Sequence, residues 1–319
     1  MKTQYVIGVD IGGTNTVIGS MDAHGTILRR TKIPTQEYST GDSYASALGN
    51  TINDLIAKSG LQGQIQGIGI GTPSGNMNTG VIEKAANIPW AKTESVPLAA
   101  MLTKITGLPC KLSNDANAAA WGEKEYGCAK GMNDFIMITL GTGLGSGIVA
   151  GGQLVVGHDG FAGELGHVRV VRHNGRLCGC GRTGCLETYA SATGVARTAC
   201  ELLESRPETQ SVLREITSRP ITSKDVFHAA QRGDALALEI FDFTGKILGD
   251  AICDFIAFSS PQAIILFGGL AHAGDFLLKP LKEEMEKQIL FLYKGKTDIL
   301  ISQLNDAEAA ILGAGALAW

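Results

Sequence analysis

The sequence Asp10-Ile-Gly-Gly-Thr-Asn-Thr16 joins the end of a short apolar run to a tight glycine turn. The apolar run, Tyr5–Ile11, predicts a strand, and Val17–Met21 predicts a second strand after the turn. A third strand is expected over Thr26–Ile33, after the turn at Asp22–Gly25. These three segments predict an antiparallel meander at the start of the chain.

A similar pattern returns later in the chain. The apolar run Phe135–Leu140 leads into the glycine turn Gly141–Gly147, and further strands are expected at Ile148–Ala150 and Leu154–Val156. At a constant offset, Val9 falls on Ile138 and Gly12 falls on Gly141. This self-similarity predicts two copies of one meander unit, although a chance likeness between two glycine-rich hairpins is the alternative.

The length of 319 residues also favours two domains, at roughly 150 residues per domain. A helical pattern that ends at Gly60 and a strand over Ile65–Ile70 indicate a mixed α/β sheet. We predict a small α/β domain over residues 1–117 and a large α/β domain over residues 118–304. A C-terminal helix over residues 305–319 is expected to pack back on the small domain. Ligands usually bind in the cleft between such domains.

Composition excludes several classes of protein. Hydrophobic residues make up 44% of the chain, which is too high for a disordered protein. The formal net charge of −4 disfavours a general nucleic-acid binder. No apolar run approaches the ~20 residues of a membrane-spanning helix, and the N-terminal sequence has no signal-peptide pattern. We therefore expect a cytoplasmic protein that binds neither nucleic acid nor membrane.

Both glycine turns are candidate phosphate-binding loops, because glycine lets backbone N–H groups approach phosphate oxygens closely. Asp10 could hold Mg²⁺ through water. A weaker prediction is that a third glycine pair, after the strand Ala263–Phe267, lies flat against an adenine ring. Ordinary hairpin turns are the alternative for each loop. The candidate nucleotide-binding residues are Asp10, Gly12, Gly13, Thr14, Asn15, Thr16, Gly141, Thr142, Gly143, Gly268 and Gly269.

Three cysteines lie close together and follow a histidine. His167 precedes Cys178, Cys180 and Cys185, and these four side chains could complete a tetrahedral zinc site. Because four protein ligands leave no position for water, the site would be structural. Three buried free cysteines and an unrelated histidine are the alternative. Glu164 and Glu187 flank the cluster and could accept hydrogen bonds from substrate hydroxyls, or they could be solvated surface residues.

Asp115 follows a short strand and opens a run of alanines. The position suits a helix N-cap, and it equally suits a catalytic base that removes a proton from a substrate hydroxyl.

Seven motifs together resemble the ROK family (repressors, open reading frames and sugar kinases), within the actin-like ATPase superfamily. Within that family the chain looks most like the bacterial glucokinases. The motifs are DIGGTNT at Asp10–Thr16, GTPSG at Gly71–Gly75, NIPW at Asn87–Trp90, NDANAAAWGE at Asn114–Glu123, LGTGLGSG at Leu140–Gly147, GELGH at Gly163–His167 and CGCGRTGCLE at Cys178–Glu187.

The resemblance implies an α/β fold of two ribonuclease H-like (actin-like ATPase) domains with an interdomain cleft. It implies phosphorylation of glucose at the 6-hydroxyl by ATP with Mg²⁺, with Asp115 as the base. The other hydroxyls would be held by Gly75, Asn87, Asn114, Glu164, His167 and Glu187, around a structural Zn²⁺. A homodimer or homotetramer is also implied. The loop Gly71–Gly75, here called the sugar loop, departs from the sequence of many relatives. Ser74 stands where they have glycine.

Three alternatives stay open at this point. Another ROK kinase could act on N-acetylmannosamine, N-acetylglucosamine, allose or fructose. A sugar-sensing repressor is disfavoured, because only nine residues precede Asp10 and a helix-turn-helix module would not fit there. A sugar-binding protein without turnover is disfavoured by the intact Asp115.

Overall fold

A computed structural model describes residues 4–319 and shows two five-stranded sheets with flanking helices. The strands are β1 Tyr5–Ile11, β2 Asn15–Asp22, β3 Ile27–Pro34, β4 Ile65–Thr72, β5 Gly75–Asn76, β6 Val81–Ile82, β7 Cys110–Asn114, β8 Phe135–Leu140, β9 Leu144–Ala150, β10 Gln153–Leu154, β11 Ala263–Phe267 and β12 Asp298–Ile301. The α-helices are α1 Gly41–Ser59, α2 Leu98–Thr106, α3 Asp115–Tyr126, α4 Glu187–Ala190, α5 Ala192–Ser205, α6 Ser223–Gln231, α7 Ala235–Ser259, α8 Asp275–Gln288 and α9 Asp306–Ala316. Short 3₁₀ helices lie at Pro89–Ala91, Leu165–His167, Val212–Glu215, Ala271–Ala273 and Phe291–Tyr293.

The first sheet has the strand order β3-β2-β1-β4-β7. Strands β1, β2 and β3 pair antiparallel, which confirms the predicted meander, and β4 joins β1 and β7 in parallel. Asp10 lies opposite Gly71, and Thr72 lies opposite Asn114. The carboxyl ends of β1, β4 and β7 therefore meet at one edge of the sheet, where ligands commonly bind in α/β folds.

The second sheet has the order β10-β9-β8-β11-β12, and β11 pairs in parallel with both β8 and β12. Each sheet thus places a consecutive three-strand run beside two parallel strands. This likeness agrees with the repeat that the two glycine turns indicated in the sequence. The last strand of the second run, β10, is shorter than predicted and covers two residues.

The chain divides into two compact units. Unit 1 contains the chain up to Asn133 together with Gly147–Gly163 and Ser302–Trp319, and unit 2 contains Asp134–Ser146 and Glu164–Ile301. We predicted a domain boundary between residues 117 and 118. In the structure α3 runs unbroken through that point, and unit 1 keeps the whole helix. Close packing of α3 on α9 explains this, because a Cβ at Gly122 would lie 2.8 Å from the Cα of Gly313.

Helix α9 lies against the first sheet. A Cβ on Gly8 of β1 would collide with the backbone carbonyl of Ile311, and a Cβ on Gly69 of β4 would collide with that of Ala314. The glycines therefore let the small, apolar helix α9 lie directly on the strands that carry the predicted site residues.

Each unit contains a long helix. In unit 1, α1 begins at the N-cap Thr40, ends at the left-handed Gly60, and buries Tyr44, Leu48 and Ile52. In unit 2, α7 buries Phe241 and Leu248, whereas Phe243 is exposed. Among the described residues, no helix is both long and apolar enough to cross a membrane.

Candidate functional site

Asn114, not Asp115, is the N-cap of α3. The Asn114 Oδ1 accepts a 2.8 Å hydrogen bond from the Ala116 backbone N–H, and this residue has non-helical backbone angles. Asp115 is the first residue of the helix and its side chain is exposed, although Oδ1 also accepts from the Ala116 N–H at 2.8 Å. The structure therefore gives the capping role to Asn114 and leaves the second carboxylate oxygen of Asp115 available for other contacts.

Two carboxyl groups at this edge of the first sheet have raised pKa values. Burial, together with the smaller effect of the charge of Asp115, raises the pKa of Asp10 to about 6. Desolvation also raises the pKa of Asp115, against the opposing effect of its backbone hydrogen bonds. Because the side chain of Asp115 keeps an exposed surface, water limits this shift. Raised carboxyl pKa values are common at catalytic sites and occur in structural clusters as well.

The first glycine turn is tight. The Gly12 N–H donates to the Asn15 carbonyl oxygen at 3.0 Å, and Thr14 and Asn15 are exposed. Gly13 lies beside Asn87, since a Cβ on Gly13 would be 3.3 Å from the Asn87 carbonyl oxygen. A candidate nucleotide-binding residue and a candidate sugar-binding residue are therefore neighbours in unit 1.

Thr16 does not fit its predicted role as a side-chain nucleotide contact. It is fully buried, and its hydroxyl lies 2.6 Å from the Tyr44 hydroxyl and 2.9 Å from the Thr35 hydroxyl. Tyr44 stacks on Trp90 with ring centroids 4.1 Å apart. Thr16 therefore links the end of the glycine turn to an aromatic cluster beneath it. The motif Asp10–Thr16 does not predict that the side chain of its last residue is buried.

In the loop Gly71–Gly75, Ser74 adopts a backbone conformation that is typical of glycine. Ser74 has a φ of 53°, in the left-handed region that favours glycine. Gly75 is buried, and a Cβ there would collide with the Ser113 carbonyl on β7. The loop is thus bound closely to the strand that leads to Asn114, and Gly75 can offer only its backbone to a ligand.

Two asparagines that the sequence analysis missed fix this loop to a second segment of unit 1. The Asn76 side-chain amide donates to the Asp159 carbonyl and to Glu83, both at 2.8 Å. The Asn78 amide donates to the carbonyls of Gly157 and His158 at 3.1 and 3.0 Å. No local pattern signals these contacts, because the partners are about 80 residues apart.

The second glycine turn is shorter than predicted, because β9 already begins at Leu144. Gly141, Thr142 and Gly143 remain exposed. The N-terminus of α5 holds this turn: the Ala192 N–H donates to the Gly141 carbonyl at 2.9 Å, and the Thr193 hydroxyl donates to the Thr142 carbonyl at 2.7 Å.

A cavity of about 400 Å³ in unit 2 adjoins the second turn and the third glycine pair. Gly268 has a φ of 97° and packs against Leu140, and Gly269 lines the cavity. Helix α6 supplies much of the rest of the lining. The sequence of that helix matches none of the motifs that predicted the site. Its lining residues are Ser223, Lys224, Phe227 and His228.

The four predicted metal ligands come together. One ligand atom from each of His167, Cys178, Cys180 and Cys185 can be chosen so that all four atoms lie within 4.8 Å of one another. The Cys180 and Cys185 sulfurs are 3.7 Å apart, and the Cys178 sulfur is 3.7 Å from His167 Nδ1. With metal–sulfur bonds of about 2.3 Å, a tetrahedral zinc site requires sulfur separations of about this size. The residues therefore fit a four-coordinate metal ion.

Glu164 and Glu187 lie on opposite sides of the His167 ring. Nδ1 of the ring is 3.6 Å from Glu187 Oε1, and Nε2 is 4.0 Å from Glu164 Oε2. Glu187 also accepts a 2.9 Å contact from the Cys178 thiol. Gly143 approaches the same carboxylate, since a Cβ on Gly143 would be 2.8 Å from Glu187 Oε2. Unit 2 thus brings the second turn, the metal cluster and both glutamates together.

The predicted residues therefore form two groups, one in each unit. Unit 1 holds Asp10, Gly12–Asn15, Gly75, Asn87, Asn114 and Asp115, and unit 2 holds Gly141–Gly143, Glu164, His167, the three cysteines, Glu187, Gly268 and Gly269.

Known proteins resemble the chain over nearly its whole length. It is 38% identical to a glucokinase of Halalkalibacterium halodurans over 317 residues, which cover 99% of this chain and 95% of the relative. The crystal structure of a ROK family glucokinase from Streptomyces griseus, in complex with glucose and AMPPNP, is 34% identical with a TM-score of 0.77 and covers 98% of both chains. A ROK family transcriptional regulator, a homolog of the Escherichia coli MLC protein, is 26% identical with a TM-score of 0.86, over 99% of this chain and 78% of that one.

Residues 6–319 match the sequence profile of the ROK family, and the chain therefore belongs to that family.

Proposed function

We propose that the chain is a glucokinase that transfers the γ-phosphoryl group of ATP to the 6-hydroxyl of glucose. The proposal rests on the position of Asp115. This residue begins α3, directly after the N-cap Asn114, and keeps a carboxylate oxygen available. Relatives named glucokinases, with at least 34% identity over nearly the full chain, support the choice of sugar.

Asp115 acts as the general base. As the bond between the sugar 6-oxygen and the γ-phosphorus forms, the carboxylate takes the hydroxyl proton, and the bridging P–O bond breaks to release ADP. Its raised pKa brings the base closer to the pKa range in which proton transfer is efficient. Phosphoryl transfer depends mainly on positioning and charge neutralisation, so the base supplies only part of the rate enhancement.

We expect the candidate polar side chains to hold the remaining sugar hydroxyls. In unit 1, Asn87 and the amide nitrogen of Asn114 are available, because the capping contact occupies only the Asn114 oxygen. In unit 2, Glu164 and Glu187 accept hydrogen bonds from hydroxyls, and His167 Nε2 lies on the Glu164 side of its ring. The backbone of Gly75 completes the set.

The glycine turns bind the polyphosphate of ATP through backbone N–H groups. We expect the adenine to bind in the cavity that Gly269 lines, with Gly268 directly before it in the chain. Asp10 would hold Mg²⁺ through water, and Mg²⁺ when bound would neutralise charge on the phosphates. His167, Cys178, Cys180 and Cys185 hold a structural Zn²⁺, and we expect a homodimer or homotetramer.

The direct test is a coupled kinase assay across a panel of sugars with ATP. We expect the highest kcat/KM for glucose among glucose, fructose, allose, N-acetylmannosamine and N-acetylglucosamine. No turnover of glucose, with turnover of another member of the panel, would replace glucose by that sugar.

Asp115→Asn removes the base and preserves the shape of the side chain. We expect kcat to fall about 10²–10⁴-fold, since that is the usual contribution of a general base. Glucose affinity, measured by calorimetry, should change little. The matched control is Asp54→Asn, because Asp54 is exposed on α1. Unchanged turnover in Asp115→Asn would remove Asp115 from the mechanism.

The raised pKa of Asp115 predicts a loss of activity on the acid side. A carboxyl with a raised pKa is protonated at a pH where an ordinary aspartate is still charged, so kcat should fall on acidification before ordinary aspartates titrate. The residual activity of Asp115→Asn should lack this fall. The same acid limb in that variant would assign it to another group, with Asp10 as the first candidate.

Cys180→Ala removes one of the four metal ligands. We expect the purified variant to contain less zinc and to bind glucose more weakly, because the metal orders the loop beside Glu187. The control is Cys200→Ala, an exposed cysteine on α5. Normal glucose affinity in metal-depleted Cys180→Ala protein would contradict a role for the metal in sugar binding.

A further inference from the structure

We infer that Arg176 is a positioning residue that joins the metal-binding loop, the helix that begins with Glu187 and the helix that holds the phosphate-binding turn. The inference rests on the proposed function for its kinetic readouts, and on the contacts within unit 2 for everything else. The metal-binding loop is defined here as residues 178–185. Arg176 belongs to none of the motifs that identify the family in the sequence.

Arg176 is buried, with only 9% of its side chain exposed. Its guanidinium donates to Glu201 from Nε at 3.0 Å and from Nη2 at 2.6 Å, and Nη2 also donates to the Thr198 hydroxyl at 2.9 Å. The group lies 4.5 Å from the centre of the Tyr189 ring. A buried guanidinium requires such partners, since an isolated charge in the interior is strongly unfavourable. Its position is therefore fixed by several elements at once.

The backbone of Arg176 anchors the metal-binding loop. Its N–H donates to the Tyr189 hydroxyl at 2.8 Å, and its carbonyl accepts from the Gly184 N–H at 2.8 Å. Cys178 lies two residues after Arg176, and Cys185 follows Gly184 directly. Arg176 therefore fixes the loop near its first ligand and near its last ligand.

The Arg176 side chain also fixes α4. Nη1 donates to the Thr188 carbonyl at 2.7 Å, one residue after Glu187. Since Glu187 Oε1 is 2.9 Å from the Cys178 sulfur, a shift of α4 relative to the loop would change the position of the carboxylate beside the metal cluster.

The third connection is to α5. Nη1 lies 3.4 Å from the Gly194 carbonyl, in the first turn of that helix, and Thr198 lies one turn later. The same first turn holds the phosphate-binding turn through Ala192 and Thr193. A chain of direct contacts thus runs from the metal-binding loop through Arg176 to Gly141 and Thr142.

The metal-binding loop, the phosphate-binding turn, α4 and α5 line one cavity of about 390 Å³ in unit 2. Its lining includes Thr142 and Gly143 from the turn, Gly179 from the metal-binding loop, and Glu187. Loss of the Arg176 contacts would therefore disturb the sugar-binding carboxylate and the phosphate-binding turn together. Asp115 belongs to unit 1 and is not part of this network. We expect both Michaelis constants to rise more than kcat falls.

The test compares Arg176→Lys and Arg176→Met with the wild-type chain. Lysine keeps the charge but cannot form the planar array of hydrogen bonds, so it should not rescue function. We expect the KM values for glucose and ATP to rise about tenfold, as for residues that support metal ligands, with a smaller change in kcat. Release of zinc to a chelator should be faster in both variants. The control, Arg206→Met, removes an exposed ion pair with Glu239 at the end of α5 and should match wild type.

If the Arg176 variants do not fold, two milder variants test the same contacts. Thr198→Val preserves side-chain shape and removes one acceptor, and Glu201→Gln removes the charge of the partner carboxylate. Each should raise both KM values and speed zinc release in the same direction. Wild-type KM values and wild-type zinc release in folded variants would overturn the inference, as would an effect on kcat alone.

A failure of the proposed function is separable from a failure of this inference. If the wild-type chain does not phosphorylate glucose, zinc release and binding of the ATP analogue AMPPNP by calorimetry still compare the variants. Faster zinc release together with weaker AMPPNP binding would support the role of Arg176. Unchanged values for both would refute it.

Discussion

The hydrogen bond from the Ala116 N–H to the Asn114 side chain determines what the candidate site can do. A helix start must satisfy its free N–H groups, and an aspartate at this position would ordinarily be used for that purpose. Because Asn114 caps α3, Asp115 keeps a free carboxylate oxygen at the point where three parallel strands end. The helix dipole favours the negative charge there. A single amide therefore separates the structural requirement of the helix from the chemical requirement of the site.

At the edge where β1, β4 and β7 end, the ionised forms of Asp10 and Asp115 cost stability instead of adding to it. Desolvation raises the pKa of both Asp10 and Asp115, and the charge of Asp115 also raises the pKa of Asp10. Neither shift favours folding with both groups ionised at neutral pH, since each reports that the charged form is less stable in the protein than in water. Such an arrangement is expected where a cation or a transferred proton relieves the charge during function. A site that required only stability would place neutral side chains there.

Local patterns predicted the parts of the molecule that depend on neighbouring residues. The glycine turns, the strands beside them and the four metal ligands each lie within a short segment or a recognisable spacing. Contacts between distant segments could not be predicted in this way. Asn76 and Asn78 bind carbonyls of residues 157–159, and α6 lines the cavity beside Gly269, without any pattern that links these segments. Thr16 shows the converse limit: it ends a phosphate-loop motif, yet packing against Tyr44 buries its hydroxyl.

The metal-binding loop has few other means of holding its shape. Gly179, Cys180, Gly181, Arg182 and Thr183 are exposed, so hydrophobic burial contributes little to their order. A short segment without a core usually needs a metal or a disulfide, and four protein ligands would make a bound metal purely structural. The metal would fix the loop internally and to His167, which lies outside it. Cys178 also contacts Glu187 at the start of α4, whereas the attachment to α5 comes from side chains outside the ligand set. A planar group with several donors is better suited to that task than a single ammonium.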